Sequence, residues 1–242
     1  LAWVQRHEYV SVAAILVGFT TIALGNIGRW AIWFDEGYTS YLVRFDYFGI
    51  AKETASDVHP PLYYWALKTW VLLFGNHELA LRTLSLVFMI VAMVGVYALI
   101  RRITHSKSSA LLALLAIAVT PIFVHYADEA RMYAMASAIV IWATYALYRG
   151  EHTQEKKWWW LYGVLVFCGM LTHYYTAFAW LTHWVWRAVE VRKGRMRRFW
   201  TKPWVTVHAV AVGVFCFWLP IMVMQVGVVQ IAGNGFWIGP IT

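Results

Sequence analysis

The sequence predicts an all-α protein, a polytopic bundle of membrane-crossing helices, on three observations. Hydrophobic residues fill 61% of its 242 positions and charged residues only 13%, against roughly 45–50% and 25% in an ordinary soluble domain. The apolar residues gather in long runs, close to the roughly 20 residues that a helix needs to cross a bilayer. Between the runs lie short links that hold most of the Lys and Arg, as topology signals do.

Taken in order, the runs place spans near 9–27, 81–100, 108–125, 132–148, 158–172, 177–191 and 204–225. The fifth and sixth are short and meet around Thr172-His173-Tyr174-Tyr175, which reads either as a tight turn or as a broken span. Residues 1–225 form the membrane module, and residues 226–242 open a following outer loop. The chain starts at Leu1 rather than Met, so we expect the remainder of the protein to lie beyond it. The sixteen Trp suit bilayer boundaries, where an apolar ring with a polar N–H is at home, and Trp158-Trp159-Trp160 opens the fifth run. Cys168 and Cys216 sit inside apolar stretches and read as small buried hydrophobes.

Orientation follows from the basic residues. Arg6, Arg101, Arg102, Lys107, Arg149, Lys156, Lys157, Arg187 and the run from Arg192 to Lys202 share one set of alternate links, fourteen of the 20 Lys and Arg. Positive charge is retained on the cytoplasmic side, which places the N-terminus inside. The net charge of +8 is thus a matter of topology, and no nucleic-acid partner is expected. The acids divide the other way: Asp35, Glu36, Asp46, Glu53, Asp57, Glu78, Asp128 and Glu129 fall outside. Acids do little for topology, so their outer concentration asks for a chemical reason.

The outer link 28–80 is the long one, and its composition is that of a folded segment. After Pro60-Pro61, the residues Tyr63, Trp65, Leu67, Trp70, Val71 and Phe74 suit a helix lying in the interface, with Pro61 in its first turn. Four short segments on this side carry ionisable groups. Asp35-Glu36, set between aromatics, is an acid pair whose charge is costly to desolvate; it also fits a loop acid capping a helix. His59 precedes a diproline that fixes its direction, though the same segment fits an ordinary interfacial turn. In Asp128-Glu129-Ala130-Arg131-Met132-Tyr133 the acids and Arg131 share one helical turn, and the planar Arg fork binds phosphate oxygens bidentately; a local Asp–Arg pair is the plainer reading. His173-Tyr174-Tyr175 places its histidine on the same side as His59 and His125. No metal-ligand spacing is present, which leaves the metal unknown and a divalent cation open.

In order and register, these elements resemble the glycosyltransferase C superfamily, in particular the protein O-mannosyltransferase-like family and the lipid A aminoarabinose transferases. The matching features are Asp35-Glu36 after the first span, His59-Pro60-Pro61-Leu62, Glu129-Ala130-Arg131-Met132-Tyr133, and His173-Tyr174-Tyr175. The resemblance implies a seven-span catalytic module with interfacial helices in the first outer loop, and an inverting transfer of a hexosyl or pentosyl unit from a polyprenyl-phosphate donor to a lipid, glycan or protein acceptor at the outer face. It implies Asp35 as catalytic base and Asp128 or Glu129 as the second acid, with Glu36 and Asp128 completing the catalytic set. Donor and substrate binding would fall to His59, Tyr63, Glu129, Arg131, Tyr133, His173 and Tyr174, with Arg131 or His173 on the donor phosphate. No cofactor is certain. The aminoarabinose transferases carry a Lys in place of His59, so contacts copied from them stay open. The competing class is a multi-pass transporter or lipid flippase, but those keep ionisable groups near the bilayer midplane, whereas the run interiors here hold almost none.

Overall fold

The computed structural model describes residues 7–196 and 198–231, and among them twelve α-helices and no strand. Residues 1–6, Arg197 and residues 232–242, the bulk of the expected following outer loop, lie outside the described residues. The helices are α1 (Glu8–Asn26), α2 (Phe34–Leu42), α3 (Tyr47–Ala55), α4 (Leu62–Phe74), α5 (Glu78–Thr104) and α6 (Lys107–Ala118). They continue with α7 (Pro121–Ala127), α8 (Tyr133–Thr153), α9 (Lys156–Thr172), α10 (Thr176–Arg192), α11 (Lys202–Phe215) and α12 (Leu219–Ile231). By length and composition α1 and α5 are each able to cross a membrane among the described residues, and the bent pairs α6–α7 and α11–α12 are able to do so jointly.

Each predicted apolar run holds a helix, but two of them are broken. The run 108–125 folds as α6 and α7, bent by 66°, because Pro121 has no N–H to continue α6 and drives Thr120 to an extended ψ of 118°. The run 204–225 divides into α11 and α12 with a 61° bend; Pro220 has no N–H for the carbonyl of Cys216. Helix α12 runs on to Ile231, past the predicted end of the module at residue 225. The link 28–80 folds into α2, α3 and α4, entered by Gly28 at φ 88° and left by Gly75 at φ 89°, a backbone region costly for any residue with a Cβ.

The long helices pack closely where small residues allow it. A Cβ on Gly95 of α5 would stand 2.8 Å from Ile141 and 2.9 Å from Trp142 of α8, and one on Gly169 of α9 would meet Trp180 of α10 at 2.6 Å. Apolar surface gives helices little reason to associate within lipid, so close backbone approach and interhelical hydrogen bonds do that work. At the end of the bundle where α5 finishes, Glu8 of α1 accepts from Tyr97 Oη and Arg101 Nε (3.0 Å) and pairs with Lys107 Nζ (2.9 Å). At that same end fully buried Arg187 pairs with Glu151 and donates to the carbonyls of Phe199 (2.7 Å) and Arg198 (3.3 Å), fixing the link before α11. The opposite end gathers the first turns of α2, α5, α8 and α10 and the link before α4, and it holds the site.

Candidate active site

Asp35 lies in the first turn of α2, where a carboxylate faces the free N–H groups of the helix start. Its Oδ2 stands 3.3 Å from Arg131 Nη2, and the Asp35 side chain stays 33% exposed while that of Arg131 is 4% exposed. A second contact joins Arg131 Nη2 to His59 Nε2 at 3.4 Å, and the Nδ1 of His59 meets Asp57 Oδ2 at 3.3 Å. The His59 ring lies 5.9 Å from that of His173, which lies 5.8 Å from that of Tyr133. Four separated segments therefore meet: the start of α2, the link before α4, the α7–α8 turn and the α9–α10 turn.

Electrostatics sorts these groups. Burial opposes the charge of Arg131, but Tyr64, Asp35 and Tyr133 favour it more, so it remains a cation. Its Nε is buried with no hydrogen-bond partner. Burial, helped by the charges of His59 and Arg131, pushes His173 down to about 4, which keeps its ring neutral. Burial raises Asp57, yet the bond from His59 and the Val58 N–H outweigh it and hold the carboxyl below its usual range.

Glu36 faces the other way. Its Oε1 accepts from Arg82 Nε (2.8 Å) and the Ala130 N–H (2.9 Å), and its Oε2 from Arg82 Nη2 (2.7 Å). Burial alone would raise this carboxyl, but the Arg82 bonds hold it below the ordinary range. The same Arg82 also reaches Glu78 and the carbonyl of Trp30 (3.0 Å). Asp128 and Glu129 line a cavity of about 640 Å³ with Glu36, Arg82, His125 and Tyr133. Burial lifts both carboxyls above the usual range, against the opposing pull of His125, whose Nε2 is 3.7 Å from Glu129 Oε2. An apolar groove of about 410 Å³ adjoins this cavity, sharing Tyr126 and Tyr133 with it and running past Phe123, Val140 and His173.

Asp35, His59 and Arg131 line neither of these cavities, and two other predicted site residues lie away from the cluster. Tyr63 is fully buried, and its Oη reaches Ser85 Oγ at 3.3 Å, which in turn donates to the carbonyl of Arg131 at 3.2 Å. It lies beneath the cluster and supports the backbone of the α7–α8 turn. Tyr174 turns towards α12, where its Oη donates to Gln225 Oε1 and accepts from Trp218 Nε1 at 2.9 Å.

A family model described as dolichyl-phosphate-mannose-protein mannosyltransferase matches residues 58–222. The chain belongs to this family. No curated protein and no solved structure gives a significant match. As a member of the mannosyltransferase family it is a membrane glycosyltransferase of the glycosyltransferase C type. The family match takes in His59, the segment from Asp128 to Tyr133, and His173, whereas Asp35 and Glu36 precede it.

Three contributors to the candidate site escaped the sequence reading. Arg82 is the partner of Glu36; its position at the edge of an apolar run was a signal, since a charge there demands a partner. Asp57 orients His59 from two residues away. Gln225 donates from Nε2 to the carbonyl of Thr54 at 2.7 Å and lies 3.5 Å from that of His59; no local pattern announces it. Among the described residues no group of three or more His, Cys, Asp or Glu is placed to hold a metal ion.

Proposed function

We propose that the chain is the membrane-embedded catalytic module of an inverting glycosyltransferase whose donor is a polyprenyl-phosphate sugar. The observation that carries this reading is the Asp35–Arg131 pair at 3.3 Å, a half-exposed carboxylate on a buried cation. The adjoining apolar groove, which runs past Tyr133 and His173, supports it. A donor with a long hydrocarbon tail needs such a surface beside the cation that meets its phosphate.

In this reading Asp35 takes the proton from the acceptor hydroxyl as its oxygen attacks the anomeric carbon, and the carrier phosphate leaves with the bonding pair. The leaving group is already an anion, so catalysis rests on positioning and on opposing negative charge. Arg131 supplies the charge; its planar fork reaches Asp35 and a phosphate oxygen from one place. Neutral His173 offers a hydrogen bond without competing charge, and His59 stands between Arg131 and Asp57. Asp128 and Glu129 line the polar cavity beside that groove, and Glu36, saturated by Arg82 and Ala130, serves as a positioning residue for the α7–α8 turn. We place the site end on the outer face, because most Lys and Arg lie at the opposite end.

The test is release of carrier phosphate by the full-length protein in detergent with a panel of polyprenyl-phosphate sugars. Asp35→Asn should lower release by about 10²–10⁴-fold, the usual worth of a general base, with thermal stability kept. Turnover at the unmodified rate in this variant refutes the base assignment, and no release from any donor by the unmodified enzyme refutes the donor class.

A further inference from the structure

At the end of the bundle opposite the active site, α9 and α11 begin side by side. Gly163 permits this, since a Cβ there would stand 3.1 Å from Val207 Cβ. Between their first turns lies a cavity of about 340 Å³, lined by Gln154, Lys156, Trp159, Lys202, Thr206 and Val207 among others. Trp160 and Val207 also line a second, apolar groove of about 150 Å³ that continues along Val164, Val210 and Val214. Seven residues from Val207 to Val214 correspond to about 10 Å of helix. Val164, Val210 and Val214 are 54%, 44% and 48% exposed, on a surface that faces hydrocarbon in a membrane protein.

The charges at the mouth of this groove are unmatched. Neither Lys156 nor Lys202 makes an ion pair among the described residues, although four carboxylates lie at this end. Glu155 holds Lys157 at 2.5 Å, Glu190 holds Arg195 at 2.5 Å, Glu151 holds Arg187, and Glu8 holds Arg101 and Lys107. Both lysines are also the first residues of their helices, where free N–H groups add to the positive potential. An anion from outside the chain would meet two unpaired ammonium groups here, and one that carries a hydrocarbon tail would also cover the apolar continuation.

We propose that this groove binds one anionic phospholipid, its phosphodiester between Lys156 and Lys202, its glycerol region against Gln154 and Thr206, and one acyl chain along Val164, Val210 and Val214. Basic pockets between membrane helices are a recurrent form of lipid recognition. The site stands apart from sugar transfer and does not rest on that assignment.

The experiment reconstitutes the full-length protein in vesicles of equal phosphatidylglycerol and phosphatidylcholine, extracts it gently and counts retained lipids by native mass spectrometry. The unmodified protein should keep one phosphatidylglycerol in preference to phosphatidylcholine. Lys156→Gln with Lys202→Gln should cut that retention by at least about tenfold, 1.4 kcal/mol or more. Val164→Trp, which fills the groove from an exposed position, should cut it with both lysines present, and Lys157→Gln should leave it unchanged. Equal retention of the two lipids, or retention by the double variant, overturns the proposal. So does displacement by millimolar inorganic phosphate together with indifference to Val164→Trp, which marks a bare anion site.

Discussion

Replacing Glu36 by Gln separates a positioning role from a catalytic one. The side chains of Glu36 and Arg82 are 2% and 5% exposed, and three hydrogen bonds of 2.7–2.9 Å end on the carboxylate. Removing one partner of a buried ion pair costs about 3–5 kcal/mol. Gln is close in shape, so its Oε1 still accepts from the Ala130 N–H, while its amide turns a donor towards Arg82. Arg82 keeps Glu78 on its own helix and the carbonyl of Trp30, which puts the loss near the lower limit, about 3 kcal/mol. At about 2–4 °C per kcal/mol for a chain of this size, the melting temperature should fall by about 6–12 °C. Thermal unfolding of the purified protein, followed beside donor turnover at a temperature where both forms are folded, measures this. The double variant Glu36→Gln/Arg82→Met should recover part of the loss, because no unpaired buried cation remains. A melting temperature unchanged within about 1 °C, combined with lost turnover, would refute the argument and return Glu36 to the reacting centre.

Two further expectations concern pH and packing. The ring of His173 is held down to about 4 from an ordinary 6.5, so the folded state takes up its proton later than the unfolded chain as pH falls. Its contribution to stability is complete above about pH 6.5 and lost by about pH 4; His173→Gln should flatten the pH dependence of the melting temperature in that window, and an unchanged slope counts against it. Gly95→Leu should destabilise the protein by at least about 1–3 kcal/mol, the usual cost of overpacking, because Ile141 and Trp142 occupy the space; an unaltered melting temperature would mean that α5 and α8 part easily.

The apolar runs located the long helices because that signal is local and strong: a bilayer-length stretch such as 81–100 has few other folds open to it. The gathering of Asp35, His59, Arg131 and His173 was legible for a related reason. Once alternate links are assigned to alternate ends, four polar segments on one side of a narrow bundle have little room to stay apart. The breaks at Pro121 and Pro220 were also written in the sequence, but hydropathy averages over them. The Glu36–Arg82 pairing was out of reach, since its partners lie 46 positions apart and no periodicity connects α2 with α5. The same holds for Tyr63: its aromatic ring suits a cleft and a core equally, and only the packing of α4 on Ser85 decides between them.

Gln225 gives the molecule an order of assembly. Its amide joins Thr54 across 171 positions of sequence and approaches the carbonyl of His59, while Tyr174 grips its oxygen. A ribosome that has released the chain only as far as residue 220 has already delivered Asp35, His59, Arg131 and His173, yet not the side chain that fastens the loop between α3 and α4. The candidate site is thus fastened late, after every group proposed to act on substrate has been made.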